Sequence, residues 1–262
     1  MKLRTAFVLF ILSVTIGGFG AAVKYTDHGE ALAGYLFAKA RGGYSLEERM
    51  SSLAVRLNEP LRQEFEAVQL SFPPEAISFL AFKDQRLIEV YARSSAVSAW
   101  QFIKSVPVLG LSGQLGPKLR EGDHQVPEGL YRAEFLNPNG RFHLSIRLNY
   151  PNQFDRQQAQ SDGRTNLGGD IMIHGTSSSV GCLAVGNRAA EELFYLAGLV
   201  NKDKLRILIS PTDMRSSPPP AIQPGRPAWV PALYERLRLE LSSYPTTLTR
   251  RSTRTAGGGR VS

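Results

Sequence analysis

At Pro73-Pro74 the apolar pattern of the chain changes period, and that change limits what it can fold into. Before it, Met50, Leu53, Leu57 and Leu61 recur every three or four residues, the spacing of one helix face. After it, the apolar stretches are short and follow a period of two. Leu87-Ile88-Glu89-Val90-Tyr91 reads as a strand within Phe79 to Ala92. Arg141 to Leu148 alternates, with Phe142, Leu144, Ile146 and Leu148 on one face. Trp100 to Leu111 is a further apolar segment, interrupted by Pro107. Ile171-Met172-Ile173 and Leu205 to Ile209 are short runs of the kind found in central strands. Turn-forming clusters at 110–116, 127–129, 137–140 and 162–163 separate them. One helix interrupts the series, Ala189 to Leu199, with Leu193, Leu196 and Ala197 as its apolar side. Short strands joined by turns favour a strand-rich fold, so the predicted class is mainly β (α+β).

The flanks differ from this centre. Residues 24–76 form a helical lead-in. In it Ser45-Leu46-Glu47-Glu48 has the form of a capping box, and Pro60 should break or kink the run. Ser216 to Pro231 carries six prolines and no periodicity, so an extended linker is expected over 214–230. A short amphipathic helix follows over 231–244, with Leu233, Leu237 and Leu241 four apart. From Pro245 the chain is Thr, Arg, Gly and Ser, the composition of a basic disordered tail (245–262). The sheet-forming region is thus 77–213.

The net charge is +8, from 31 Lys and Arg against 23 Asp and Glu. Lys2 and Arg4 supply two of these charges, and residues 215–262, with eight Arg and two Glu, supply six. Residues 5–214 are neutral, with 21 charges of each sign. A nucleic-acid-binding face on the main domain would need an excess there, so no nucleic-acid partner is expected.

The first 23 residues read as an export signal or a membrane anchor. Lys2 and Arg4 form a charged start, and the run from Ala6 to Val23 is uncharged for 18 residues, ending in small residues. The expected location is therefore the periplasm or cell envelope, with inner-membrane anchoring through residues 6–23 as the alternative to cleavage. An exported chain with one cysteine, Cys182, has no internal disulfide framework. A lone thiol there is either a small buried hydrophobe or a used nucleophile.

The neighbourhood of Cys182 favours use. A predicted strand delivers His174 at its end, a loop of small residues follows, and Cys182 comes eight residues after His174. A thiol is mostly protonated at neutral pH, and an adjacent imidazole can take its proton. Gly181 permits close backbone approach, and the N–H groups of Gly181 and Cys182 are candidates to hold an oxyanion. The base needs a third group to fix its tautomer, and the carbonyl of Gly175 would serve. Asp170 reads better as a turn residue than as a catalytic acid. His28, His124 and His143 lack paired metal-ligand spacing, so no metal and no cofactor is expected.

Ile173-His174-Gly175 followed by Ser179-Val180-Gly181-Cys182 resembles the signature of the L,D-transpeptidase (YkuD) catalytic domain. Ser112 to Lys118, Glu121 to Tyr131, Phe142 to Ser145 and Asn149 to Asn152 look like its YafK-type subgroup. The resemblance covers roughly 77–213, about half the chain. It implies a YkuD-like β-sandwich acting on peptidoglycan stem peptides outside the inner membrane. Cys182 would be the nucleophile, His174 the general base, the Gly175 carbonyl the orienting group and Gly181 part of the oxyanion region. Ser179, His143, Tyr150 and Lys118 are candidate substrate contacts, and Arg120 is a second cation that could meet stem carboxylates. The resemblance implies a cysteine peptidyltransferase forming a thioester that an acceptor amine resolves. The first alternative is a hydrolase of the same mechanism, cutting peptidoglycan–lipoprotein or stem-peptide links. The second is a non-catalytic peptidoglycan-binding module. Val180 stands where the common pattern has a second His, the gap after His174 is short, and Ala184 occupies an Arg/Asn place. These departures leave transfer and hydrolysis both open.

Overall fold

The structure is a computed structural model and describes residues 26–246. The expected signal or anchor over 1–23, and the tail beyond residue 246, lie outside the described residues. Two helices come first, α1 (Asp27–Ala40) and α2 (Leu46–Glu66). Both are capped by side chains. Thr26 accepts from the Gly29 N–H, and Ser45 and Glu48 exchange the reciprocal pair of a capping box. Pro60 does not end α2, contrary to expectation. Leu53, Leu57, Leu61 and Phe65 are all buried along one side, and that packing carries the helix across the missing N–H.

The strands are β1 (Ala76–Phe82), β2 (Leu87–Arg93), β3 (Gln101–Pro107), β4 (Gly110–Leu111), β5 (Gly129–Gly140), β6 (His143–Leu148), β7 (Met172–His174), β8 (Leu183–Ala184) and β9 (Leu205–Ser210). They form one nine-stranded sheet in the order β3-β2-β1-β9-β5-β6-β7-β8-β4. Only the β1/β9 and β7/β8 pairs are parallel. The long β5 joins the two halves. Residues 129–132 pair with β9, and register shifts beyond Ala133 turn the strand onto β6. The sheet curls so that both halves line one core. Phe79, Val90 and Ile207 from one half meet Leu144, Ile146, Ile173 and Leu183 from the other, with α2 and α4 (Asn187–Leu199) packed alongside.

Two sequence expectations need correction here, and a third is extended. A second helix, α3 (Gln153–Ser161), follows β6. Its Asn152/Asp155 capping box is visible in the sequence, but only Ala159 is buried, so it leaves no apolar period to read. Phe142 does not share the face of Leu144, Ile146 and Leu148. His143 has φ 69°, which breaks the alternation, and β6 begins there with Phe142 outside it.

The third, a short helix over 231–244, is present as α5 (Val230–Leu241), and its packing is not read from the sequence. Every residue of β1 is buried. Ile77, Phe79 and Ala81 face the main core, while Ala76, Leu80 and Phe82 face a second one. That second core is closed by Val230, Leu233, Tyr234, Leu237 and Leu241 of α5, with Trp100 and Tyr244. The Pro-rich segment brings α5 back across the sheet, and on the way Arg226 donates to the Leu115 carbonyl at 2.7 Å.

Candidate active site

The register of β7 and β8 sets His174 beside Ala184 and Ile173 beside Leu183. Ile173 and Leu183 point into the core. Alternation therefore turns His174 and Ala184 to the opposite face. Cys182 lies in the loop just before β8, two residues before Ala184.

His174 is buried, and its Nδ1 lies 2.6 Å from the carbonyl oxygen of Gly175. A carbonyl only accepts, so Nδ1 carries the hydrogen and Nε2 keeps its lone pair. The Phe142 ring covers the imidazole at 5.1 Å between centroids. Burial holds the imidazole below the ordinary histidine value. The Gly175 carbonyl opposes this and the nearby charge of His28 adds to it. The base is therefore neutral at neutral pH.

Cys182 is half-buried and unpaired with any other cysteine. Its thiol donates to the Asp170 carbonyl at 3.4 Å. Burial pushes the thiol up. A backbone hydrogen bond at Met172 and the charge of Lys118 work against this, and Asp170 works with it. The resting pair is thus a neutral thiol and a neutral imidazole. The expected thiol–imidazole contact would need the thiol to turn from the Asp170 carbonyl toward Nε2, a change open to resting geometries. The Asp170 side chain pairs with Arg147 at 3.0 Å, so the residue serves the turn.

Gly181 has φ 90°, a conformation that favours glycine. Its N–H donates to the Ser112 hydroxyl at 2.6 Å, and the Cys182 N–H donates to the Ser179 hydroxyl at 2.8 Å. Both expected oxyanion donors are thus engaged in this state, and an oxyanion must displace a hydroxyl to reach them. The Ser179 hydroxyl also donates to the Cys182 carbonyl at 2.6 Å, so Ser179 closes the turn before the thiol.

The other candidate substrate contacts face inward. Tyr150 is buried, with its hydroxyl 3.3 Å from the Leu167 carbonyl. Lys118 is buried against Asp123 at 2.6 Å and the Arg120 carbonyl at 2.9 Å. His143 bonds Glu191 at 2.9 Å, which also holds Arg56. The His143 Cβ borders Gly175 all the same, since a Cβ added at Gly175 would lie 2.8 Å from it. Among the described residues, no group of three or more His, Cys, Asp or Glu side chains is placed to hold a metal ion.

Sequence reading overlooked three neighbours of the site. Ser112 reaches it from the loop after β4. Asn187 at the start of α4 accepts the Thr176 N–H at 3.0 Å. His28, from α1, places Nε2 at 3.2 Å from the hydroxyls of both Ser177 and Ser178. Ser112 lies inside a motif noted above, whereas nothing local marks His28, which meets the loop across about 150 residues.

Residues 79–207 match the family model of the L,D-transpeptidase catalytic domain, YkuD. This stretch is a YkuD-like catalytic domain. The matched stretch runs from β1 into β9 and contains His174 and Cys182, while α1, α2 and α5 lie outside it. YafK of Escherichia coli K12, an L,D-transpeptidase by name, is 31% identical over 137 residues, which are 52% of this chain and 51% of YafK. The chain thus spans about half the length of the curated relatives it matches. Among solved structures, the helical cell shape determining protein Pgp2 from Campylobacter jejuni is 22% identical with a TM-score of 0.43. That match covers 54% of this chain and 50% of Pgp2. Bdellovibrio bacteriovorus Bd1075 is 22% identical with a TM-score of 0.40, over 66% of this chain and 56% of that one.

Proposed function

We propose that the protein is a cysteine peptidyltransferase of the L,D-transpeptidase type that acts on peptidoglycan stem peptides. The observation that carries this reading is the His174 tautomer. With Nδ1–H held by Gly175, Nε2 keeps its lone pair, and the β7/β8 pairing brings the segment that follows Cys182 beside the strand that ends in His174. In the proposed reaction Nε2 takes the thiol proton as sulfur bonds to the carbonyl of the stem's diamino acid. The tetrahedral intermediate collapses, the imidazolium returns the proton to the departing D-alanine amine, and a thioester remains. An acceptor amine then attacks the thioester, its proton passes through His174, and the thiol is restored. Water in place of the amine makes the same enzyme a hydrolase that trims stems or releases a linked lipoprotein. The site of action would be the periplasm or cell envelope, with residues 1–23 as export signal or anchor. Among the described residues no helix is long and apolar enough to cross a membrane.

Muropeptide mass analysis of purified sacculi tests this. New links between diamino acids indicate transfer, and trimmed stems or released lipoprotein indicate hydrolysis. Cys182→Ala should abolish both, together with covalent labelling by a carbapenem-type acylator. An unaltered muropeptide profile with wild-type protein, or an active Cys182→Ala variant, would sink the proposal.

A further inference from the structure

The first turn of α1 lies outside the matched catalytic stretch, yet it touches the catalytic loop by two routes. His28 Nε2 is 3.2 Å from the hydroxyls of Ser177 and Ser178. Asp27 binds the start of α4. Its carbonyl accepts from Asn187 Nδ2 at 2.8 Å and its carboxylate accepts the Asn187 N–H at 3.3 Å. The same Asn187, buried, accepts the Thr176 N–H through its side-chain oxygen at 3.0 Å. Three consecutive loop residues, Thr176 to Ser178, are therefore held from α1, one of them through Asn187.

Thr176 needs such a hold. It has φ 62°, a region a β-branched residue enters only under constraint. It directly follows Gly175, whose carbonyl fixes the His174 tautomer. If the restraint on 176–178 is released, Thr176 can relax toward an ordinary backbone conformation, and the peptide that carries the Gly175 carbonyl rotates with it.

We propose that His28 is a positioning residue of the catalytic loop: by bonding Ser177 and Ser178 it keeps the Gly175 carbonyl on His174 Nδ1. The inference deepens the function proposed above and rests on it for the catalytic meaning of His174. His28 itself reaches no reacting atom. It acts through the loop, alongside the Asp27–Asn187–Thr176 chain. The groups facing the imidazole are the Gly175 carbonyl, the Phe142 ring and His28.

The test follows the His174 Nδ1 proton by NMR in the full chain, with carbapenem acylation measured on the same samples. Wild type should show a downfield, slowly exchanging Nδ1–H. In His28→Ala that proton should exchange about tenfold faster, the scale set by losing hydrogen bonds of ordinary strength. Acylation should slow by a similar factor in its rate constant, with the apparent binding constant little changed. His28→Gln, which can still reach the serine hydroxyls, should keep both within about threefold of wild type. The bonds being exposed, both variants should fold, and an unchanged melting curve checks this. A His28→Ala protein with wild-type Nδ1–H exchange overturns the proposal. So does a His28→Gln protein as impaired as His28→Ala. A wild type that shows the held proton but is never acylated would instead overturn the proposed function and leave the positioning role standing.

Discussion

A single methyl group at Gly175 should uncouple the base from its orienting carbonyl. A Cβ there would sit 2.7 Å from Asn187 Oδ1, 2.8 Å from His143 Cβ and 2.9 Å from the Phe142 carbonyl oxygen. Two of these three neighbours are a backbone oxygen and a Cβ, neither of which can swing aside. The third is committed to the Thr176 N–H. The Gly175 peptide must therefore shift by several tenths of an ångström. Overpacking of this kind costs about 1–3 kcal/mol, which for a chain of this size lowers Tm by about 2–12 °C. The same shift lifts the carbonyl from Nδ1 and frees the ring to take the other tautomer. Loss of a carboxylate partner in a Ser-His-Asp triad costs ~10⁴ in rate. The partner here is a neutral carbonyl, so a loss of about ten- to a hundredfold in acylation is expected. Gly169→Ala is the control, because a Cβ at Gly169 meets nothing within 4 Å. Melting curves and carbapenem acylation rates would be compared for the two variants. If Gly175→Ala matched Gly169→Ala in both, the claim that the Gly175 carbonyl orients the base would fail.

The remaining predictions concern pH, the second core and the tail. Burial lowers the His174 value, so the neutral base persists below the ordinary 6.5, and the acid limb of the acylation profile should lie below about pH 6.5. Burial raises the Cys182 value, so the thiol stays protonated past its ordinary range and the profile should hold its plateau beyond about pH 8.5. A lowered histidine value also means that the unfolded chain binds this proton first as pH falls. Wild type should therefore lose stability relative to His174→Gln between about pH 6.5 and the lower folded value, which paired melting curves can check. Leu237 is fully buried in the second core, so Leu237→Ala should cost about 2–5 kcal/mol in a denaturant titration while the protein that remains folded acylates normally. Residues 247–262 add four arginines and no acid. Their deletion should leave Tm and acylation unchanged and weaken only salt-sensitive attraction to anionic vesicles. The cut must spare Pro245, whose carbonyl accepts from the Tyr91 hydroxyl at 2.8 Å and from Arg215 at 3.1 Å.

Legibility followed sequence distance. The contact between the His174 ring and the Gly175 carbonyl joins adjacent residues, and the strand–loop–strand unit around it spans little more than ten residues. Such a unit can be read from a line of sequence. The run at β2 and the alternation at β6 marked strands, but periodicity says only that a face is apolar and not what covers it. The apolar side of α5 was visible for that reason, while its role in closing the second core was not. Pro60 misled because the four buried residues around it outweigh one missing hydrogen bond. His28 looked like a scattered histidine because its partners are Ser177 and Ser178, brought near only by the docking of α1 on α4. Lys118 and Tyr150 looked like groove residues because a chain of letters does not show which way a side chain turns.

The β1/β9 pair also sets a timetable. In that pair Ile77 lies opposite Leu205, so an interior strand of the sheet waits for a partner made near the far end of the matched stretch. The β1-β2-β3 meander can assemble early from local contacts, but one side of β1 stays an open edge until β9 arrives, and its outer face stays bare until α5 arrives. Pairing across such a separation is slow, on the order of milliseconds to seconds, and leaves the half-built sheet open to proteases and to other chains. A chain stopped short of residue 205 would already contain His174, Gly175 and Cys182, yet lack the strand that joins their half of the sheet to β1. Late closure therefore leaves the half of the sheet that carries His174, Gly175 and Cys182 unjoined to β1 until the chain beyond residue 205 is in place.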